Sequence, residues 1–116
     1  GTNWAEEHIL LAKDSSGDWV VNDADAGEVA LGFSQGPRTV GVRNPKQILS
    51  LEAVYYDGVE LDGFSGLTIG RECYAYSGGH VVQGAPTAGQ ASVKQVVGFA
   101  IAKDTIKVRI GDPIRQ

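Results

Sequence analysis

Apolar and polar residues alternate with period two along most of this chain. The pattern is cleanest in "TIKVRI", where Ile106, Val108 and Ile110 face one way and Lys107 and Arg109 the other. The segments "DWVV" (18–21), "EVALGF" (28–33), "ILSLEAVYY" (48–56), "ECYAY" (72–76), "HVVQ" (80–83) and "KQVVGFAIA" (94–102) share its β-branched and aromatic content and end at Gly, Pro, Asn or Asp. Each predicts a strand. Gly78-Gly79 in "YSGGH" predicts a tight hairpin, because such turns need positive φ. Centred there, the turn pairs His80 with Ser77 and sets Cys73 opposite Gly84. "AKDT" (102–105) and Asp57-Gly58 predict two further turns. The one helical candidate, "NWAEEHILLAK", is short and reads equally as an arm ending in a strand at His8–Ala12. The expectation is an all-β chain.

The chain also echoes itself. "SGDWVV" begins at Ser16 and "SGGHVV" at Ser77. "LGFSQGPRTVGVR" (31–43) aligns without a gap on "VGFAIAKDTIKVR" (97–109), with Gly32/Gly98, Phe33/Phe99, Thr39/Thr105, Val42/Val108 and Arg43/Arg109 identical. Hairpins with similar turns converge on such likeness, yet the order of matches favours a duplicated β-hairpin unit. Its halves would be 16–44 and 77–111. Neither half could bury its apolar face alone, so a small barrel or sandwich of short antiparallel strands follows. On this reading residues 1–15 form an extended N-terminal arm and 16–116 a single β domain. Trp4, Ile9, Leu10 and Leu11 have no counterpart in the second half, and are expected to anchor on a neighbouring subunit or on a larger protein surface that the chain binds.

Length and composition narrow the function classes. A chain of 116 residues has room for one modest core. Its 16 glycines are about twice the usual share of roughly 7%, so the backbone must turn often. The net charge of −4 and the scattering of ten basic residues speak against nucleic acid, whose phosphates require clustered Lys and Arg. No apolar stretch approaches the roughly 20 residues of a membrane span, and no signal-peptide pattern is visible. A single cysteine, Cys73, fits a buried structural thiol and cytoplasmic synthesis better than a disulfide scaffold.

Candidate chemistry is sparse. A Cys73–His80 nucleophile pair fails on register, since the hairpin sets the two several residues apart. "DGVELDG" (57–63) resembles a calcium loop but lacks the spacing and closing Glu, and reads as a turn followed by a polar strand face. Asp14, Asp18, Asp23, Asp25 and Glu28 read as a solvated loop face, and no glycine run has phosphate-loop spacing. No catalytic residue, metal or cofactor is expected. Among the aromatics, Tyr74 and Tyr76 share one strand face with period two, while Trp4, Trp19, Tyr55 and Tyr56 lie elsewhere. Such rings serve an interface or half-buried core, and alternatively a platform for sugars.

The segment "GFSGLTIGRECYAYSGGHVVQGAPTAGQASVKQVVGFAIAKDTIKVRIG" resembles a module of bacteriophage capsid decoration (cement) and head-fibre proteins. The resemblance is carried by Ser65-Gly66-Leu67-Thr68 with Gly70, by Tyr74 and Tyr76, and by Gly78-Gly79. It continues through Ala85-Pro86-Thr87-Ala88-Gly89, Val96-Val97-Gly98-Phe99-Ala100 and Thr105-Ile106. It covers a little under half the chain. Ile69 departs from the family's proline, and Arg71-Glu72-Cys73 is more polar than the pattern. The resemblance implies a non-enzymatic structural protein on the outer capsid surface of a virion, made in the host cytoplasm. It also implies contacts with the major capsid protein and a homotrimer of the chain. The alternative is a carbohydrate-binding or adhesin module that uses the tyrosines on surface glycans.

Overall fold

The computed structural model describes residues 8–35 and 57–116, and the fold is all-β, built of three antiparallel sheets. The strand expected at 48–56, Trp4, Tyr55, Tyr56 and the repeat positions 36–43 lie outside the described residues.

Strand β1 (Leu10–Lys13) is the centre of the first sheet, flanked by β2 (Trp19–Val21) and β3 (Gly32–Phe33). The β1–β2 hairpin closes over Ser15-Ser16-Gly17, where the Asp14 carboxylate accepts the amides of Ser16 and Asp18 at 2.9 and 3.0 Å. A carboxylate answering its own turn amides is why Asp opens this turn.

Within the expected arm, residues 10–13 form a core strand, while residues 1–7 lie outside the described residues. Leu10 and Leu11 are 0% exposed, and Ile9 and Ala12 are buried with them. Leu10 packs with Phe33 in the main core, while Ile9 and Leu11 pack on the opposite side with Trp19 and Val21. A central strand with both faces covered is an unbroken apolar run. "ILLA" is such a run, without the alternation that marks a half-exposed strand. Ile9, Leu10 and Leu11 are therefore core residues, not an interface.

The second sheet has five strands in the order β4-β9-β8-β5-β6: β4 (Glu60–Leu61), β5 (Glu72–Ala75), β6 (Val81–Val82), β8 (Val96–Ala102) and β9 (Thr105–Val108). A two-stranded ribbon joins β7 (Val93–Lys94) to β10 (Ile114–Arg115). The single strand expected over 94–102 thus divides at Gln95. This side chain is 1% exposed, and its amide takes the place of a strand partner. Oε1 accepts the Ala30 amide at 2.8 Å, while Nε2 donates to the carbonyls of Ala30 and Gly111 at 2.9 and 3.0 Å. One residue so ties the β2–β3 loop, the start of β8 and the C-terminal segment together.

The β5–β6 hairpin pairs Tyr74 with Val82 and Ala75 with Val81, and Tyr76 donates to the His80 carbonyl at 3.0 Å. Its loop is Ser77-Gly78-Gly79, three residues rather than the two expected, so Cys73 comes opposite Gln83 and not Gly84. Gly79 explains the extra residue. Its φ is +76°, its amide donates to the Asn22 carbonyl at 2.8 Å, and a Cβ there would lie 2.2 Å from the Ile9 side chain. The hairpin tip is driven into the first sheet, and only glycine permits that approach.

Pairing in the two larger sheets follows one scheme. Leu11 sits between Val21 and Gly32, and Leu10 faces Phe33. Tyr74 likewise faces Val82, Cys73 faces Gly98 and Glu72 faces Phe99. The likeness stops at strand order: pairing with β3 and β8 sets Leu10 against Glu72, whereas pairing with β2 and β6 sets Leu11 against Tyr74, and Leu10 is buried where Glu72 is exposed.

The two larger sheets enclose the main core. Leu10, Phe33, Ala24 and Ala30 meet Leu61, Cys73, Val97, Ile106 and Val108 there. A register shift between Cys73 and Tyr74 marks a β-bulge, which turns both Val97 and Gly98 inward and leaves Val96 outward. Gly98 is required, since a Cβ would stand 2.5 Å from the Lys107 carbonyl oxygen.

Candidate functional site

With one face of the five-stranded sheet committed to the core, the other carries its chemistry outward. Cys73 and Ala75 point in, so Glu72, Tyr74 and Tyr76 point out. Direct pairing lines up Glu60, Lys107, Phe99 and Glu72 in one transverse row over β4, β9, β8 and β5. The next row brings Tyr74 between Val82 and Val96, with Arg109 beyond on the same face. Glu60, Glu72, Lys107 and Arg109 are exposed, whereas Phe99, Tyr74, Tyr76, Val82 and Val96 are half-buried. The Tyr74 hydroxyl donates to the Glu72 carboxylate at 3.4 Å. A solvated sheet face is ordinarily polar. This one has an apolar and aromatic middle with charges to either side.

Of the residues expected at an interface, Tyr74 and Tyr76 lie on this surface, Ile9, Leu10 and Leu11 do not, and Trp4 is outside the described residues. Phe99, Val96 and Lys107 join the tyrosines only through strand pairing. The period-two pattern of "KQVVGFAIA" hides them, because the bulge changes phase within it.

A second feature is a groove of about 310 Å³ where the two larger sheets meet, bordered by His8, Ile9, Phe64, Ser65, Leu67 and His80. His8 has φ +61°, rare for a residue with a side chain. Its ring stacks on Phe64 at 6.2 Å and 20°, and its Nδ1 lies 2.8 Å from the Asp62 carbonyl. A carbonyl only accepts, so Nδ1 carries the hydrogen. His80 is exposed at the start of β6, as its place after the turn predicts. The tertiary structure thus brings the two histidines to one groove, although 72 positions separate them in sequence.

Cys73 is buried within the core and does not border this groove. Burial pushes its thiol above the ordinary range, with a hydrogen bond to Gln83 pulling the other way. A thiol held neutral is a poor nucleophile. Among the described residues no three His, Cys, Asp or Glu side chains gather as metal ligands, and no helix is long and apolar enough to cross a membrane. Three of the acidic residues of 14–28 serve the backbone: Asp14 closes its own turn, Asp23 caps the amides of Asp25 and Ala26, and Glu28 accepts the amide of Asp23 at 2.8 Å. The loop over 62–71 is clamped by Gln83. Its Oε1 accepts the Thr68 amide at 2.7 Å, and its Nε2 donates to the Thr68 and Arg71 carbonyls. Ile69 is 61% exposed on that loop.

Compared with protein-family models, with curated proteins and with solved structures, the chain returns no match.

Proposed function

We propose that this chain is a structural protein of a phage virion that attaches to the outer capsid surface and stabilises the shell without catalysing a reaction. The observation that carries the reading is the build of the segment bearing the resemblance, from Gly63 to Gly111. It supplies four strands of the five-stranded sheet, and its motif residues are geometric: Gly79 seats the hairpin tip, Pro86 is buried, and Thr68 is clamped by Gln83. Rigid strands with pinned loops present a fixed surface, and a surface that need not be ordered on binding loses little entropy there. Ile69 offers an exposed apolar contact for the major capsid protein, and oligomerisation multiplies modest affinities across a lattice.

The test is co-sedimentation of purified protein with expanded shells, followed by localisation of its density. Saturable binding at a fixed lattice position is expected, together with greater resistance of the shell to heat. Absence of binding at micromolar protein would refute the proposal. The half-buried tyrosines also favour a second reading, a glycan-binding module, since flat rings stack on sugar faces. Quenching of tryptophan fluorescence by polysaccharide, without shell binding, would establish that reading instead.

A further inference from the structure

We infer that the outer face of the five-stranded sheet is an isologous interface, and that its partner is a second copy of this chain. The evidence is the order of side chains in the transverse row, Glu60–Lys107–Phe99–Glu72. Place a two-fold axis along β8, in the plane between two facing sheets. Phe99 then meets Phe99 of the second copy on the axis. Lys107, one strand to one side, meets Glu72 of the second copy, and Glu72 meets Lys107 in return.

The next row obeys the same operation. Strands β5 and β9 both run antiparallel to β8, so they run parallel to each other, and Tyr74 and Arg109 lie the same two residues beyond Glu72 and Lys107. Arg109 of one copy therefore lies over Tyr74 of the other, while Val96 falls near the axis. A guanidinium over a phenol ring is favourable. Other two-fold placements fail. An axis across the strands, or one along β5 or β9, puts Lys107 on Lys107 or Glu72 on Glu72; an axis between β8 and β9 puts Glu60 on Glu72; and an axis between β8 and β5 sets Glu72 on Phe99 and leaves Lys107 facing no acid. Charge complementarity thus selects one arrangement, and face-to-face sheets pack with strands nearly aligned. The pairing covers the half-buried Phe99, Tyr74 and Val96 and sets a Lys107–Glu72 pair one strand from the axis on either side.

This inference does not depend on capsid attachment. It is tested by sedimentation velocity of the isolated chain from 1 to 500 µM, with circular dichroism to confirm that each variant folds. Glu72→Lys and Lys107→Glu should each weaken dimerisation at least tenfold, because each sets like charges together at two symmetry-related contacts. An equimolar mixture of these two variants should regain the dimer, since the charges of one then complement those of the other. The double variant carrying both changes should dimerise alone. Phe99→Glu should be monomeric throughout. A chain that stays monomeric at 500 µM, a trimer indifferent to these substitutions, or a mixture that fails to reassociate would each overturn the pairing.

Discussion

Replacing Gln95 by leucine should be the most damaging single change of a polar residue in the described core. The side chain makes three hydrogen bonds, two to Ala30 and one to Gly111, and is 1% exposed. Leucine keeps much of the volume and forms no cavity of consequence, so the cost is electrostatic. Each buried hydrogen bond contributes about 1 kcal/mol net, and a buried partner left unpaired costs about 1–3 kcal/mol. Ala30 loses the partners of both its amide and its carbonyl, which sets the expected destabilisation at about 3–5 kcal/mol. That is a large share of the roughly 5–15 kcal/mol of a whole domain.

Urea unfolding reads this directly as a lower midpoint at unchanged slope. Gln95→Glu supplies an independent check. Its second oxygen would face two carbonyl oxygens in a buried site, which favours the protonated acid and raises the folded pKa above the roughly 4.3 of an unfolded glutamate. Stability should therefore approach that of the parent below about pH 4 and fall as pH rises through the folded pKa. If Gln95→Leu lies within about 1 kcal/mol of the parent, or Gln95→Glu shows no such pH dependence relative to it, the bridge does not hold the segments together.

Deleting residues 1–13 removes the central strand of the first sheet, so cooperative unfolding should disappear; Leu10→Ala alone should cost about 2–5 kcal/mol by calorimetry or urea. Gly79→Ala should unfold the hairpin dock, whereas Gly84→Ala, whose added Cβ meets nothing within 4 Å, should leave the melting temperature nearly unchanged. Native Cys73 should react with a disulfide reagent only as fast as the chain opens, with rates rising sharply in urea; rapid labelling of the folded protein would contradict its burial. Ile69→Asp should lower occupancy on shells at least tenfold with no change in thermal unfolding, and equal occupancy would remove that loop from the attachment surface.

The sequence by itself determined the class of fold and much of its local geometry. Alternation in "TIKVRI" orients Ile106 and Val108 inward and Lys107 outward because a strand's side chains reverse at every residue, whatever packs against them. Turn chemistry is equally local, which is why "YSGGH" and "AKDT" fall at hairpins. The chain by itself did not separate an arm from a core strand at 9–12. An unbroken apolar run is dictated by burial on both faces, and burial belongs to whatever lies alongside. Nor could it reveal the row of Glu72, Phe99 and Lys107, whose members come together through pairing and past a bulge that alters phase. His8 and His80 meet at one groove for a similar reason: the hairpin tip docks on the first sheet, and a single close approach at Gly79 fixes where it lands. Period and turn type are properties of consecutive residues, while register between distant strands is chosen by the packing of the whole core, and that choice the tertiary structure alone decided.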